Sequence, residues 1–226
     1  MTTNLIQILS GVPLFSGLPE TVLGRLSENA FSKSYRTQDI LVHQGDIWPY
    51  LFLVERGEIK ALKDSPLGRT LIANTLKSGS VFWGISFFQE DKEMPATLQA
   101  VTDTRIWLWQ RAYFRKEIME NGEIGWGLCQ EMINHMIAAS EVVGGLAFQP
   151  VVGRLAKLLL DEFGEAENKF TERSLTLAEM AAHIGTTQEM VCRHLYRFAE
   201  KGAIEIRRTE MKIVDRTFLK SQFQSK

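Results

Sequence analysis

The chain of 226 residues contains only two cysteines, Cys129 and Cys192. Thiols so few and so far apart imply reduced side chains in a cytoplasmic protein and no disulfide framework. They also fall short of the ligand set of an iron–sulfur cluster or a Cys-rich zinc site, so no metal centre of that kind is expected. No apolar run approaches the roughly 18 residues that signal a membrane span. The opening residues, MTTNLIQILSGVPLF, lack a basic stretch and a long apolar segment, so a secretory signal is not expected. Neither sign of charge dominates, with 26 Lys and Arg against 27 Asp and Glu. A phosphate-binding loop, a metal-ligand cluster and a Ser/His/Asp set in supporting context are all missing, which argues against an enzyme.

What is present is ordinary in bulk and uneven in distribution. Apolar residues make up 45% of the chain and charged residues 23%, as in soluble globular proteins. The length suffices for two domains. Thr171–Lys226 carries ten Lys and Arg against seven Asp and Glu, a net of +3, while the remainder holds 16 against 20, a net of −4. A local basic balance is what a polyanion meets.

Residues 13 to about 30 read as a short helical stretch. From Tyr35 to Gln110 the chain reads as short β segments: DILVH, YLFLVE, EIKAL, RTLIANTL, ATLQAV and TRIWLWQ. Glycines at 45, 57, 68 and 79 punctuate them at intervals of 11 or 12. That rhythm predicts an antiparallel sandwich or barrel. Helical texture returns with RAYFRKEIMENG, closed by Asn121 and Gly122. A long helix is then expected from about Glu123 to Phe148. Along it Leu128, Met132, Met136, Ala139, Val143 and Leu146 recur at steps of 3 and 4. So narrow an apolar seam suits one partner helix, as in a coiled-coil dimer; the alternative is packing on the chain's own barrel. Pro150 marks a break or hinge. VVGRLAKLLLDEFG is a further amphipathic helix, ending at Gly164.

The most informative stretch is LTLAEMAAHIGTTQEMVCRHLYRFAEKGAIEIRR. Thr176 and Glu179 form a capping-box pattern that starts a helix. Gly185 ends it by permitting a positive φ, and Thr186 or, in preference, Thr187 caps the next helix. Two short helices about a tight Gly turn make a helix-turn-helix. On a helical wheel that starts at Gln188, Val191, Leu195 and Phe198 cluster on one side. Glu189, Cys192, Arg193, Tyr196 and Arg197 occupy the other half of the same wheel. One face is core. The other presents an amide, a carboxylate and two guanidiniums from the first turn, where a recognition helix meets base edges. Arg can donate twice to guanine and a carboxylate can accept from cytosine N4. The bland alternative is a solvated charged surface. Beyond Gly202, AIEIRRTEMKIVDR reads as a β hairpin, or wing, with Arg207, Arg208 and Lys212 placed to meet phosphates.

On these residues the chain resembles the cAMP receptor protein / fumarate–nitrate regulator (CRP/FNR) family of bacterial transcription factors. Gly185, Thr187, Glu189 and Arg193 match the family's helix-turn-helix signature, Gly-x-Ser/Thr-x-Glu-x-x-x-Arg. VGGLAFQPVVGRLAKLLL resembles its junction between dimer helix and DNA-binding domain, and the Gly-spaced β region its cyclic-nucleotide-binding jelly roll. The resemblance implies an α+β chain in three parts: a sensory barrel over 1–122, a dimerisation helix over 123–149 and a winged helix-turn-helix over 150–226. It implies a homodimer on palindromic DNA, two recognition helices entering major grooves about 34 Å apart, and RNA polymerase as a further partner. Members with Glu and Arg at positions 189 and 193 commonly read TGA-containing half-sites. Gln188 replaces an Arg of the cAMP-responsive branch, which leaves the outer bases open. Non-DNA-binding scaffolding is the rival of a different class.

The resemblance fails where that branch holds its ligand. Trp83 and Gly84 stand in place of a Gly-Glu pair, and Met94 and Pro95 in place of Arg and Ser/Thr. A buried phosphate without its Arg lacks a charge-assisted partner, so cAMP is not the expected effector. Phe82, Trp83 and Phe87 are candidates to line an apolar pocket for another small molecule. Ser140 matches a position that touches the nucleotide base. Haem, used by gas-sensing members, would find only His43 and His135 as candidate ligands outside the helix-turn-helix. Cys192, beside cationic Arg193, offers a thiol-based alternative.

Overall fold

The computed structural model describes residues 2–66, 68–163 and 169–224. The chain divides into two compact units, Met1–Lys63 with Ala73–Ala139 and Asp64–Ile72 with Ser140–Lys226.

Two helices open the first unit, α1 (Thr2–Ser10) and α2 (Glu20–Glu28). Eight strands follow: β1 (Phe31–Tyr35), β2 (Ile40–Val42), β3 (Tyr50–Arg56), β4 (Glu58–Asp64), β5 (Thr70–Lys77), β6 (Val81–Trp83), β7 (Thr97–Ala100) and β8 (Thr104–Gln110). They form two antiparallel sheets of order β1-β8-β3-β6 and β2-β7-β4-β5. This is the antiparallel sandwich that the glycine rhythm predicted, and the jelly roll that the family resemblance implied. Gly57, between β3 and β4, has φ +95°, and a Cβ there would collide with Thr104 Oγ1.

Strand periodicity decides what each side chain of the first sheet buries. On β3, Leu51 and Leu53 point to a cluster with Leu5, Phe15 and Leu26 of the N-terminal segment. Phe52 and Val54 point the other way, to Ile59 and Leu98 of the facing sheet. Both faces are therefore dry, which is why β3 reads as a continuous apolar run. Trp109 on β8 is fully buried and donates its indole N–H to Leu26 O at 2.8 Å, tying α2 to the sheet. Each such aromatic ring withdrawn from water stabilises the fold by roughly 1.5–3 kcal/mol.

A short helix α3 (Ile85–Phe88) follows β6, and α4 (Arg111–Glu120) follows β8. Phe87, expected to line a pocket, is instead buried in the core with its ring 5.9 Å from that of Phe114. Asn121 separates α4 from the long helix α5 (Gly122–Phe148). Leu128, expected on the dimer seam, belongs with Ile124 to the barrel's own core. The cause is a close approach: a Cβ on Gly127 would sit 2.7 Å from Leu14 Cδ1. Beyond it Met132, Met136 and Val143 are exposed, and so are Ile133 and Ile137, which the narrow seam did not include.

The second unit contains α6 (Val151–Phe163), β9 (Thr171–Glu172), α7 (Leu177–Ile184), α8 (Gln188–Glu200), β10 (Ile204–Ile206), β11 (Glu210–Ile213) and α9 (Arg216–Gln224). Gly164, the expected end of α6, lies outside the described residues. The small sheet has the order β10-β11-β9. Gly153 lets α9 lie against α6, since a Cβ there would be 2.7 Å from Gln222 O.

One polar knot ties α2, α4 and the start of α5. Glu117 is 2% exposed and takes a two-pronged bond from Arg25, Nε at 3.1 Å and Nη2 at 2.9 Å. The Tyr113 hydroxyl at 2.9 Å and Asn121 Nδ2 at 3.2 Å complete it. The Arg25 hydrogen bonds hold the Glu117 carboxyl below its usual range, against the opposing effect of burial. A depressed folded-state carboxylate contributes stability that is present at neutral pH and lost on acidification through that depressed value. Replacing Glu117 by Ala is expected to cost roughly 2–4 kcal/mol, because it strands the remaining polar groups. Replacing it by Gln is expected to flatten the acid limb of the stability–pH curve below about pH 4. Urea unfolding of the three proteins between about pH 3 and 7, treated as two-state, checks both.

Candidate nucleic-acid interface

The two-helix motif is assembled from local bonds. Thr176 Oγ1 accepts from the Glu179 N–H at 3.2 Å, and Glu179 Oε2 accepts from the Thr176 N–H at 2.9 Å. Gly185 closes α7 in the left-handed conformation, φ 63° and ψ 48°. An L side chain is strained at that φ, and its Cβ would fall 2.6 Å from Leu146 Cδ2, so Leu146 would have to shift. Leu146, expected only at a dimer interface, thus also lies over the turn. Thr187 caps α8, its hydroxyl accepting from the Met190 N–H at 3.3 Å.

On α8 the faces separate as the helical wheel required. Val191, Leu195 and Phe198 are buried in the second unit's core. Thr187, Gln188, Glu189, Cys192, Arg193, Tyr196 and Arg197 are exposed. Glu189 and Arg193 form an ion pair at 2.7 Å on the open surface, one helical turn apart. Such a pair is worth little in water, but it holds a carboxylate and a guanidinium side by side on one exposed face. Cys192 is a free, exposed thiol next to Arg193.

Not every expected cation is free to meet a phosphate. Arg207 lies 3.5 Å above the ring of Phe170 and pairs with Glu210 at 3.3 Å. Lys212 pairs with Glu205 at 2.6 Å, and its side chain is only 18% exposed. Arg208 is exposed, and its carbonyl accepts from Arg173 Nη2 at 2.5 Å. The wing is therefore partly neutralised by its own acids, and Phe170, Glu205 and Glu210 were not part of the sequence reading. The signal was there, since Glu205 and Lys212 are opposite each other in the hairpin register.

In the first unit, Phe82 and Trp83 are half-buried and meet His135 edge-on, with ring centroids 5.7 Å and 5.5 Å from it. His135 Nε2 is buried without a hydrogen-bond partner among the described residues. His43 is exposed on the turn after β2. Ser140 is exposed on α5. Met94 is 2% exposed and belongs to the core between the sheets with Trp48. At Gly84 a Cβ would collide with Trp48 O and lie 2.9 Å from Met94 Sδ.

With this geometry established, similarity to known proteins is informative. Residues 32–121 match the cyclic nucleotide-binding domain and residues 153–221 the Crp-like helix-turn-helix domain. The chain is 26% identical over 192 residues to the cAMP-activated global transcriptional regulator Vfr of Pseudomonas aeruginosa, spanning 82% of this chain and 90% of Vfr. It is 27% identical over 175 residues to the cAMP-activated global transcriptional regulator CRP of Salmonella typhimurium, spanning 75% and 83% of the two chains. A Crp/Fnr-family structure from Eubacterium rectale superposes with a TM-score of 0.80 at 21% identity, over 94% of this chain and 98% of that one. The chain belongs to the CRP/FNR family of DNA-binding transcription regulators. Among the described residues, no helix is long and apolar enough to cross a membrane.

His194, missed by the sequence reading, is 7% exposed on the buried face of α8, and its Nδ1 has no partner among the described residues. Burial first, then the charges of Arg197 and Arg193, lowers its pKa from the usual 6.5. A histidine that resists protonation in the fold leaves stability intact above the unfolded value and removes it as pH falls below that value. The midpoint of thermal unfolding of the second unit is expected to drop between pH 7 and about 5.5. His194→Leu is expected to flatten that slope, which calorimetry of both proteins would record.

Proposed function

We propose that the protein is a homodimeric, sequence-specific regulator that reads palindromic DNA with α8 and is controlled by an effector other than cAMP. The observation that carries the reading is the exposed Glu189–Arg193 pair in the first turns of a helix whose opposite face is core. In a major groove Arg193 donates twice to a guanine and Glu189 accepts from a cytosine, as a TGA-containing half-site requires. Gln188, Cys192 and Arg197 flank them, and Arg208 supplies the least encumbered phosphate contact of the wing. Arg207 and Lys212 contribute after exchanging their acidic neighbours for phosphate.

Dimerisation is supported by the exposed apolar face of α5, where Met132, Met136, Ala139 and Val143 adjoin Ile133 and Ile137. A face of that width left in water favours a second copy of the helix. Against cAMP stands the crowding at the family's phosphate position. Met94 fills it with an apolar side chain, and Gly84 has no room for the carboxylate found in cAMP-binding members. Phe82 and Trp83 offer apolar surface instead, with His135 as a polar group between them; the haem reading rests on His135 alone. The protein acts in the cytoplasm, with RNA polymerase as its further partner.

Arg193→Ala is expected to weaken cognate binding by about 1–3 kcal/mol per half-site and to relax selection at one base. Arg208→Ala is expected to weaken cognate and random duplexes alike and to reduce the salt slope by about one unit. Fluorescence anisotropy on a selected TGA palindrome and a scrambled duplex, across salt concentrations, separates the two roles. Identical behaviour of the variants on both duplexes would refute the assignment. Isothermal calorimetry is expected to find no cAMP binding at micromolar concentration, and a micromolar isotherm would overturn the effector reading.

A further inference from the structure

Arg154 occupies the first turn of α6, and its guanidinium is spent on backbone carbonyls. Its Nε donates to Ile184 O at 2.9 Å. Its Nη1 donates to Gln149 O at 2.5 Å and, at the edge of hydrogen-bond range, to Gly145 O at 3.4 Å. Ile184 is the last residue of α7, immediately before the left-handed Gly185. Gly145 lies in the last turn of α5, and Gln149 is the residue after its end. One planar cation therefore satisfies carbonyls at the C-termini of two helices. The last carbonyls of a helix lack intrahelical donors, and each helix end carries about half a negative charge. No carboxylate pairs with Arg154 among the described residues, so the two helix ends are its counter-charge.

An apolar contact reinforces the same joint. Leu146, one residue after Gly145, packs over Gly185, its Cδ2 2.6 Å from where a Cβ would stand. The end of α5 is thus held to the α7 side of the turn by one charged and one apolar contact. Across the turn, Thr187 caps α8.

We propose that Arg154 is a positioning residue for DNA readout: by bridging the carboxyl ends of α5 and α7 it fixes the angle at which the recognition helix leaves the dimer helix. This rests on the reading of the protein as a DNA-binding dimer. If α5 is shared across the two-fold axis, the Arg154 bridge in each protomer sets the separation of the two recognition helices. Its chemical signature is the tolerance for half-site spacing, not the strength of any single base contact. Lysine cannot substitute, because a point-charge ammonium lacks the planar fork that reaches both helix ends.

The full-length protein, Arg154→Gln and Arg154→Lys are compared by anisotropy on three labelled duplexes. These are the selected TGA palindrome, the same palindrome with a spacer lengthened by two base pairs, and a single half-site. Wild type is expected to prefer the selected spacing about 30-fold, an ordinary coupling between two sites. Arg154→Gln is expected to keep the single-half-site affinity and retain only about a 3-fold preference. A Gln variant that is folded by circular dichroism and retains the wild-type ratio overturns the proposal. Should Gln prevent folding, the Lys variant decides: a reduced ratio supports the bridge and an unchanged ratio overturns it. A wild type that binds no duplex, or binds both spacings equally, refutes the DNA-dimer reading itself, and the proposal with it.

Discussion

Gly185 sits in a left-handed conformation that costs an L-residue free energy, with Leu146 packed close over it. Both constraints act on one residue, and the DNA-facing half of the molecule follows from it. The left-handed turn ends α7 after a capping box and lets Thr187 begin α8 without an intervening loop. A short connection leaves little freedom in the angle between the helices, so the charged face of α8 is directed by backbone geometry. The absence of a side chain at Gly185 also lets Leu146 close over the turn, which brings the end of α5 into the same joint.

The electrostatics of that half are more guarded than the basic balance of its sequence suggests. Glu189 holds Arg193, Glu210 holds Arg207, and Glu205 holds Lys212. Each pair is exposed on at least one side, and its attraction is screened by water and salt. Phosphates can therefore displace the acids in the wing at modest cost. On α8 the situation differs, because in the proposed complex Glu189 and Arg193 both have base-edge partners to turn to. Pre-pairing then limits what each does to the wrong sequence, where one charge of the pair would be desolvated without a partner.

Much of this was legible in the sequence wherever the determinant is local. The capping box, the Gly turn, the amphipathic wheel of α8 and the hairpin beyond it depend on residues within a few positions of one another. The β region was legible through its turn glycines. What escaped is decided by distant partners. Leu128 fits a heptad-like seam by spacing alone, and only the close approach of Leu14 at Gly127 assigns it to the barrel. Phe87 fits a pocket by composition, yet Phe114 claims it. The two-residue strand β9 exists because β11 offers it an edge. His194 was readable and unread: on the wheel of α8 it stands beside the buried Phe198.

Different faces of α5 meet different partners. A helix presents a new direction about every 100°, and this one spends its directions separately. Ile124 and Leu128 anchor it in the barrel core. His135, about 20° from Leu128 on the wheel, reaches Phe82 and Trp83. Met132, Met136 and Val143 face water beside that line. Leu146, in the last turn, packs over Gly185 of its own unit.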